Sequence, residues 1–429
     1  MADGPRALVV VTGSELVRGD RRDADGPFLA AELARRGLEP ARILIVGDRP
    51  EELRDALGAG LAADLCVVSG GLGPTHDDRT VETLAAVTGR DLIVDEGLER
   101  EIEGVSRAIA KRLERPYADF AAGVAKQASL PEGAVSLGIA GTAPALLLEH
   151  DSTVFVILPG PPAELRRLWE AALEHPAVLD VLARAEARKH RVVRLFGPSE
   201  SAVARALTEA GGEAEGLDVT VCARDLEIHV DLYYSPEGAD AARRLEMAVE
   251  TAFPEQVFAV DDERPVAELV LETARERGVK LATAESSTGG LIAAELTEIP
   301  GASDVYVGGV VAYSDELKRR ELDVPEEVLR AHGAVSEETA VAMAEGARRR
   351  FDAEVAVSVT GIAGPGGGTP EKPVGLVFIT ATGPDGTHTS RVELPGDRHT
   401  VRARATALAL HKVRRLLARS STFARESSR

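Results

Sequence analysis

Two stretches of this 429-residue chain put reactive residue types where backbone geometry makes them useful. In the first, Glu285-Ser286-Ser287-Thr288-Gly289-Gly290 follows the short strand-like run Lys280 to Ala284 and precedes a helical pattern from Leu291 to Thr297. A serine at such a turn lies beside main-chain N–H groups that lack helical partners, and those donors can receive the oxyanion of acyl transfer. Serine also caps helices, and Ser-Ser-Thr before a helix is usually a cap. The hydroxyl needs a base. No His-Asp pair stands out, but Tyr313-Ser314-Asp315-Glu316-Leu317-Lys318 follows the apolar run Val305 to Ala312. A lysine desolvated beside a serine can act as that base, although Lys318 alone reads first as a solvated helix residue. The run Val355 to Val359 then ends in Thr360-Gly361-Ile362-Ala363-Gly364-Pro365-Gly366-Gly367-Gly368, a glycine-rich anion loop. Arg398 and Arg402 share a face of the last helix, placed either to clamp a phosphate or to form an ordinary basic surface, as the later Arg414, Arg415 and Arg419 do.

The second stretch is Ser69-Gly70-Gly71-Leu72-Gly73-Pro74-Thr75-His76-Asp77-Asp78-Arg79-Thr80, directly after the run Leu65 to Val68. Glycines at the carboxyl end of a parallel strand let backbone N–H groups approach a phosphate, and the next helix adds its positive end. Asp77 and Asp78 suit either a helix cap or a Mg²⁺ ion held beside bound phosphates. The loop is neither a dinucleotide fingerprint nor a Walker sequence, so the residues alone imply a phosphate-bearing ligand.

The elements that carry these loops follow from the hydrophobic pattern. From residue 6 to about 90, short β-branched runs alternate with helical patterns, which means parallel strands covered on both faces. Ala145 to Leu148 and Val154 to Leu158 flank Glu149–Thr153 as a hairpin. Between about 190 and 255 the order becomes strand, helix, strand, strand, helix, with Leu226, Ile228, Val230, Leu232 and Tyr234 buried and Glu227, His229, Asp231 and Tyr233 facing water. The polar, proline-bounded stretch from Phe253 to Pro265 reads as a domain junction, and a second α/β lobe follows. The fold class is therefore α/β, with two three-layer lobes joined by a small α+β module.

Composition narrows the function. Lys and Arg total 50 against 70 Asp and Glu, a net charge of −20 that disfavours nucleic acid as a partner. Cys66 and Cys222 sit in apolar runs and read as core residues of a reducing compartment. No secretory leader and no apolar window of the roughly 18 residues needed to span a membrane occur, so a cytoplasmic protein is expected.

Motifs in both lobes resemble the CinA family. In the first lobe these are Thr12-Gly13-Ser14-Glu15-Leu16, Val46-Gly47-Asp48, the loop from Gly70 to Thr80, Gly141-Thr142-Ala143-Pro144 and Leu158-Pro159-Gly160-Pro161-Pro162. In the second they include Ala284–Gly290, Gly308–Ser314 with Lys318, His332–Glu337, Thr360–Pro365, Glu371–Gly375 and Pro395–Arg398. The resemblance implies a molybdopterin-binding-like domain over 1–172, a KH-like linker over 173–258, an amidase domain over 259–421 and a disordered tail over 422–429. It further implies nicotinamide mononucleotide deamidation without a cofactor, with Ser286 as nucleophile, Lys318 as base and Tyr313 assisting. Ser287, Thr288, Gly289 and Gly290 would receive the oxyanion, with Thr360, Gly361, Arg398 and Arg402 around the substrate. For the first lobe it implies ADP-ribose pyrophosphatase activity with a divalent cation such as Mg²⁺ on Asp48 and Asp78, the nucleotide meeting Gly13, Glu15, Gly70, Gly71, Gly73, Asp78 and Thr80. A homodimer is implied as well. The alternative is a competence-linked, non-catalytic adaptor. Three departures stand out: Asp23-Ala24-Asp25 replaces a common Asp-Thr-Asn, His76 replaces a frequent proline, and Ser287 replaces a common cysteine. The middle module offers only acidic flanks around Gly211-Gly212, unlike an RNA-clamping GxxG loop.

Overall fold

The computed structural model describes residues 4–38, 40–186, 188–224 and 226–419. They form two compact units, one running up to His190 and including Tyr233–Ala239, the other made of Arg191–Leu232 and the residues described from Asp240 on. The predicted tail lies outside the described residues. None of the described helices is long and apolar enough to cross a membrane.

In the first unit, Ala7–Thr12, Leu65–Ser69 and Thr153–Leu158 are buried along their whole length, as strands covered on both faces must be. The sheet order is Pro40–Val46, Ala7–Thr12, Leu65–Ser69, Thr153–Leu158, Ala143–His150, Val135–Ala140. The first four strands are parallel; Ala143–His150 pairs antiparallel with Thr153–Leu158 through the expected hairpin, and Val135–Ala140 pairs antiparallel with Ala143–His150. Leu29, Leu33, Leu165 and Trp169 pack one face; Leu53, Leu57, Leu84 and Ile102 pack the other. The helix predicted from Ala30 begins earlier, at Asp25, because Asp23 Oδ1 accepts the N–H groups of Asp25 and Gly26.

The second unit has a sheet ordered Tyr306–Val311, Leu281–Glu285, Val355–Gly361, Leu376–Gly383, Gly386–Glu393. Leu281–Glu285 runs parallel to both of its neighbours. The carboxyl ends of three strands therefore meet at one edge, where Ser286, the segment leading to Lys318 and the Thr360 loop all begin.

The middle module contributes a second sheet, ordered Leu217–Arg224, Glu227–Tyr234, Lys189–Phe196, Val257–Val260. The stretch read as a junction thus contains a strand, antiparallel to Lys189–Phe196. The face expected to meet water is instead covered: Glu227 and Asp231 are buried and His229 is half-buried. At Glu227 the cause is the closing helix Arg398–Arg419, whose His411 reaches that carboxylate and whose Arg414 and Arg415 lie over Phe258 and Phe196. Those two arginines are accordingly part-buried rather than an open basic face. Cys66 is core, whereas Cys222 is only half-buried on an edge strand.

Candidate active site

Ser286 is 8% exposed and Lys318 only 1%. Lys318 Nζ stands 3.3 Å from Ser286 Oγ and donates to the Ala312 carbonyl at 3.0 Å. The helix Asp315–Leu322 is capped by Ser314 Oγ, which accepts the Leu317 N–H, and its buried residues are Lys318 and Leu322, one turn apart. That spacing puts both on one face, so packing of Leu322 carries the lysine inward with it. Burial pulls the Lys318 pKa below the ordinary amine range, and Asp315, 3.9 Å away and mostly exposed, opposes the shift. Asp315→Asn is expected to move the acid limb of a Lys318-dependent reaction down by roughly 0.2–0.7 pH units, the span of an exposed ion pair. A pH–rate profile checks this, and a limb that stays put or rises would remove Lys318 as the titrating base.

The loop between Ser286 and the next helix is held on every side. Ser286 N–H donates to Val359 O, and Gly289 N–H donates back to Ser286 O. Gly289 and Gly290 have φ of 63° and 96°, left-handed conformations open to glycine at no steric cost. Glu285 is 1% exposed, and its carboxylate accepts the N–H groups of Gly290, Ile292 and Ala293 at 2.9, 3.2 and 2.9 Å. Of the four residues expected to receive an oxyanion, Gly289 and Gly290 have therefore already committed their N–H groups. Ser287 and Thr288 have not: their N–H groups make no hydrogen bond among the described residues. The Ser287 and Thr288 hydroxyls are buried and also without partners.

Around this pair, Tyr313 is 59% exposed and its hydroxyl accepts from Arg398, which also donates to Gly364 O. Arg402 is turned elsewhere, donating to the carbonyls of Ser287 and Thr288 at 3.1 and 2.7 Å. Thr360 is buried and donates to Ala334 O, and Gly361 lies where a Cβ would stand 2.7 Å from Leu376 O. Arg398 and Tyr313 thus reach the open side of the site, while Arg402 and Thr360 shape its walls.

The first unit has its own cavity, about 610 Å³, lined by the Gly70–Gly73 loop, Gly13, Glu15, Asp25, Asp48 and Asp78 among others. Gly70 and Gly71 have φ of 98° and 69°, and a Cβ on Gly71 would stand 2.1 Å from Thr80 Oγ1. Thr80 is fully buried and donates to Gly70 O, so it holds the loop rather than facing the cavity. Asp48 accepts from Thr12 Oγ1 and Ser14 N–H, and Asp78 from Thr75 N–H and its hydroxyl. No group of three or more metal-ligating His, Cys, Asp or Glu side chains converges among the described residues. Two carboxylates at one cavity suit Mg²⁺, which keeps several waters and completes its shell with substrate phosphate. They do not make an all-protein cage.

Asp25 is the odd member of that wall. It is 5% exposed; Oδ2 accepts from Ser69 Oγ at 2.7 Å while Oδ1 is buried and unpartnered. Burial raises its pKa above 3.8, with the Ser69 bond opposing. Because the folded pKa lies above the unfolded one, the stability this carboxyl lends is present at low pH and lost as pH rises through the folded pKa. Asp25→Asn is expected to gain on the natural protein as pH rises above about 4, the unfolded carboxyl value. Trp169, the single tryptophan of the chain, is buried in this unit and reports its unfolding. A stability difference that stays flat or shrinks with pH would show the carboxyl to be unperturbed.

Sequence reasoning passed over Glu285 as a cap and Asp315 as the lysine's neighbour, although an acid ahead of a glycine-rich helix start was a usable signal for the first. Residues 263–417 match the family described as the CinA C-terminal domain, and residues 8–179 match that of a probable molybdopterin binding domain. A "CinA-like protein" of Mycolicibacterium paratuberculosis is 43% identical over 430 residues, spanning 96% of this chain and 98% of its own. Another, from Mycolicibacterium gilvum, is 44% identical over 424 residues with the same coverage. A solved competence/damage-inducible protein of Agrobacterium tumefaciens is 43% identical, covers 34% of this chain and 92% of its own, and has a TM-score of 0.33.

Proposed function

We propose, since the chain belongs to the CinA family, that its second unit hydrolyses the carboxamide of nicotinamide mononucleotide to nicotinic acid mononucleotide and ammonia. The observation that carries this reading is the desolvated Lys318 amine 3.3 Å from Ser286 Oγ. Neutral Lys318 takes the Ser286 proton as Oγ attacks the carboxamide carbon, and the Ser287 and Thr288 N–H groups receive the oxyanion. The lysine returns the proton to the departing nitrogen, so that ammonia leaves and a nicotinoyl ester remains on Ser286. Water, deprotonated by the same amine, cleaves that ester and restores the serine. Arg398, exposed beside Tyr313 and the Gly364 loop, is placed to meet the nucleotide phosphate. Purified protein incubated with nicotinamide mononucleotide in the presence of EDTA is expected to release ammonia and the acid in equal amounts. Absence of both products across pH would remove the assignment.

The first unit's cavity favours a second activity, cleavage of a nucleotide diphosphate such as ADP-ribose. The Gly70 N–H is committed to Leu158 O, those of Gly71 and Gly73 make no hydrogen bond among the described residues and would serve as donors, and Asp48 and Asp78 would hold a divalent ion. A bound Mg²⁺ would neutralise charge on the diphosphate. Release of AMP that EDTA abolishes tests this reading; no turnover with any divalent ion would leave the cavity a binding site.

A further inference from the structure

We infer that Glu285 and Arg402 form a two-sided brace on the nucleophile loop and are positioning residues for the amide hydrolysis proposed above, on which this inference rests. Glu285 takes the N–H groups of Gly290, Ile292 and Ala293 at the far end of the loop, and Arg402 takes the carbonyls of Ser287 and Thr288 ahead of the glycines. The four residues Ser287 to Gly290 are thereby held between a buried acid and a half-buried base that belong to different elements. Each partner does something the other cannot. With both oxygens accepting, Glu285 removes the Gly290 N–H from competition for a substrate oxygen. Arg402 sets direction: within a planar peptide the C=O and the following N–H point oppositely, so holding Ser287 O turns the Thr288 N–H away from the guanidinium. That N–H is one of the two left unengaged beside Ser286.

Arg402 accordingly has little left for a ligand. Its Nε and Nη2 already donate to carbonyls, and a Cβ on Gly289 would come within 3.3 Å of Nη2. The close approach explains a glycine at 289 in addition to its left-handed backbone. Arg398 shares the helix face but is exposed, so phosphate recognition falls to Arg398 and loop geometry to Arg402.

The test uses the full chain carrying Arg402→Ala, Arg402→Lys or Glu285→Gln, with nicotinamide mononucleotide as substrate. A misplacement of about 1 Å costs on the order of 10²-fold, so Arg402→Ala and Glu285→Gln are expected to lower kcat by that factor with KM changed less than about threefold. Added guanidinium at sub-denaturing concentration should restore part of the Arg402→Ala rate, and Arg402→Lys, able to serve one carbonyl, should fall between. Labelling of Ser286 by a fluorophosphonate, followed by intact mass, should slow in the same order. A raised KM with kcat preserved would overturn the brace and make Arg402 a substrate ligand; unchanged labelling would overturn it as well. If Arg402→Ala does not fold, the lysine and glutamine variants decide by the same readouts. A natural protein that labels but never releases ammonia would defeat the deamidase reading alone, and slowed labelling in the variants would still sustain the brace.

Discussion

Ser286→Ala is expected to cut ammonia release from nicotinamide mononucleotide by about four to six orders of magnitude, and Lys318→Met by a similar factor. The two act as one unit, since the hydroxyl is inert without the amine and the amine has no other substrate-side partner. The double variant should therefore be scarcely worse than either single one. Lys318→Arg should not rescue, because a guanidinium stays protonated at any working pH and cannot accept the serine proton. The rate should rise with pH as Lys318 loses its proton, with the midpoint below the ordinary lysine range because burial disfavours the ammonium. The same burial separates a catalytic role from a structural one. Between the folded and unfolded lysine pKa the unfolded chain binds more protons, so this residue makes stability increase with pH. Lys318→Met removes that dependence and should stabilise the second unit at neutral pH while abolishing turnover. Loss of activity accompanied by loss of stability would mean that the lysine holds the fold. Near-normal activity in Ser286→Ala would remove the nucleophile.

Glu227→Ala should be the most damaging substitution away from either site, costing the second unit about 3–5 kcal/mol as a buried ion pair loses one partner. Glu227 Oε2 accepts from Arg194 at 2.8 Å and lies 3.0 Å from His229, and Oε1 accepts from His411 Nε2 at 2.8 Å. Desolvation raises the Glu227 pKa, but the hydrogen bonds from His229, His411 and Arg194 outweigh it and hold the carboxyl well below its usual range. His411 is fully buried, stacked on Phe196 with centroids 3.8 Å apart, and burial pulls its pKa below the ordinary imidazole value. A neutral imidazole with its proton on Nε2 suffices, and Arg414 Nε approaching Nδ1 at 3.4 Å agrees with that tautomer. Removing the carboxylate leaves Arg194, whose side chain is 5% exposed, with the Asp262 and Arg264 carbonyls but without its buried counter-charge. Since a depressed carboxyl pKa lends stability above the unfolded value, the natural second unit should weaken as pH falls below about 4.3, and the alanine variant should lack that component. Hydrogen exchange in Lys189–Phe196 and Arg398–Arg419 measures the loss, while Trp169 fluorescence should not move. Exchange unchanged in both segments would show the cluster to be energetically idle.

The sequence by itself determined the layer order and the turns at which the candidate residues gather. Runs such as residues 65–68 and 355–357 are apolar throughout, as a strand covered on both faces requires, and glycine-rich turns mark where those strands end. Ser286 was legible as a turn serine because strand–turn–helix spacing is local, whereas Lys318 by itself read first as a solvated helix residue. Other features depend on what packs against a residue, and periodicity carries no trace of that. The alternation Glu227, His229, Asp231 looks the same whether water or a helix covers it, and His411 lies 184 positions away. Arg398 and Arg402 are equivalent by spacing, yet one ends at the surface and the other on the carbonyls of a loop more than 110 residues earlier. Lys318 itself sits in a helix charged on almost every side; only the meeting of three strand ends, with Leu322 drawn into the core, withdrew that amine from water and set it against the serine. Proton affinity follows local desolvation, and desolvation is a property of packed neighbours rather than of residue order.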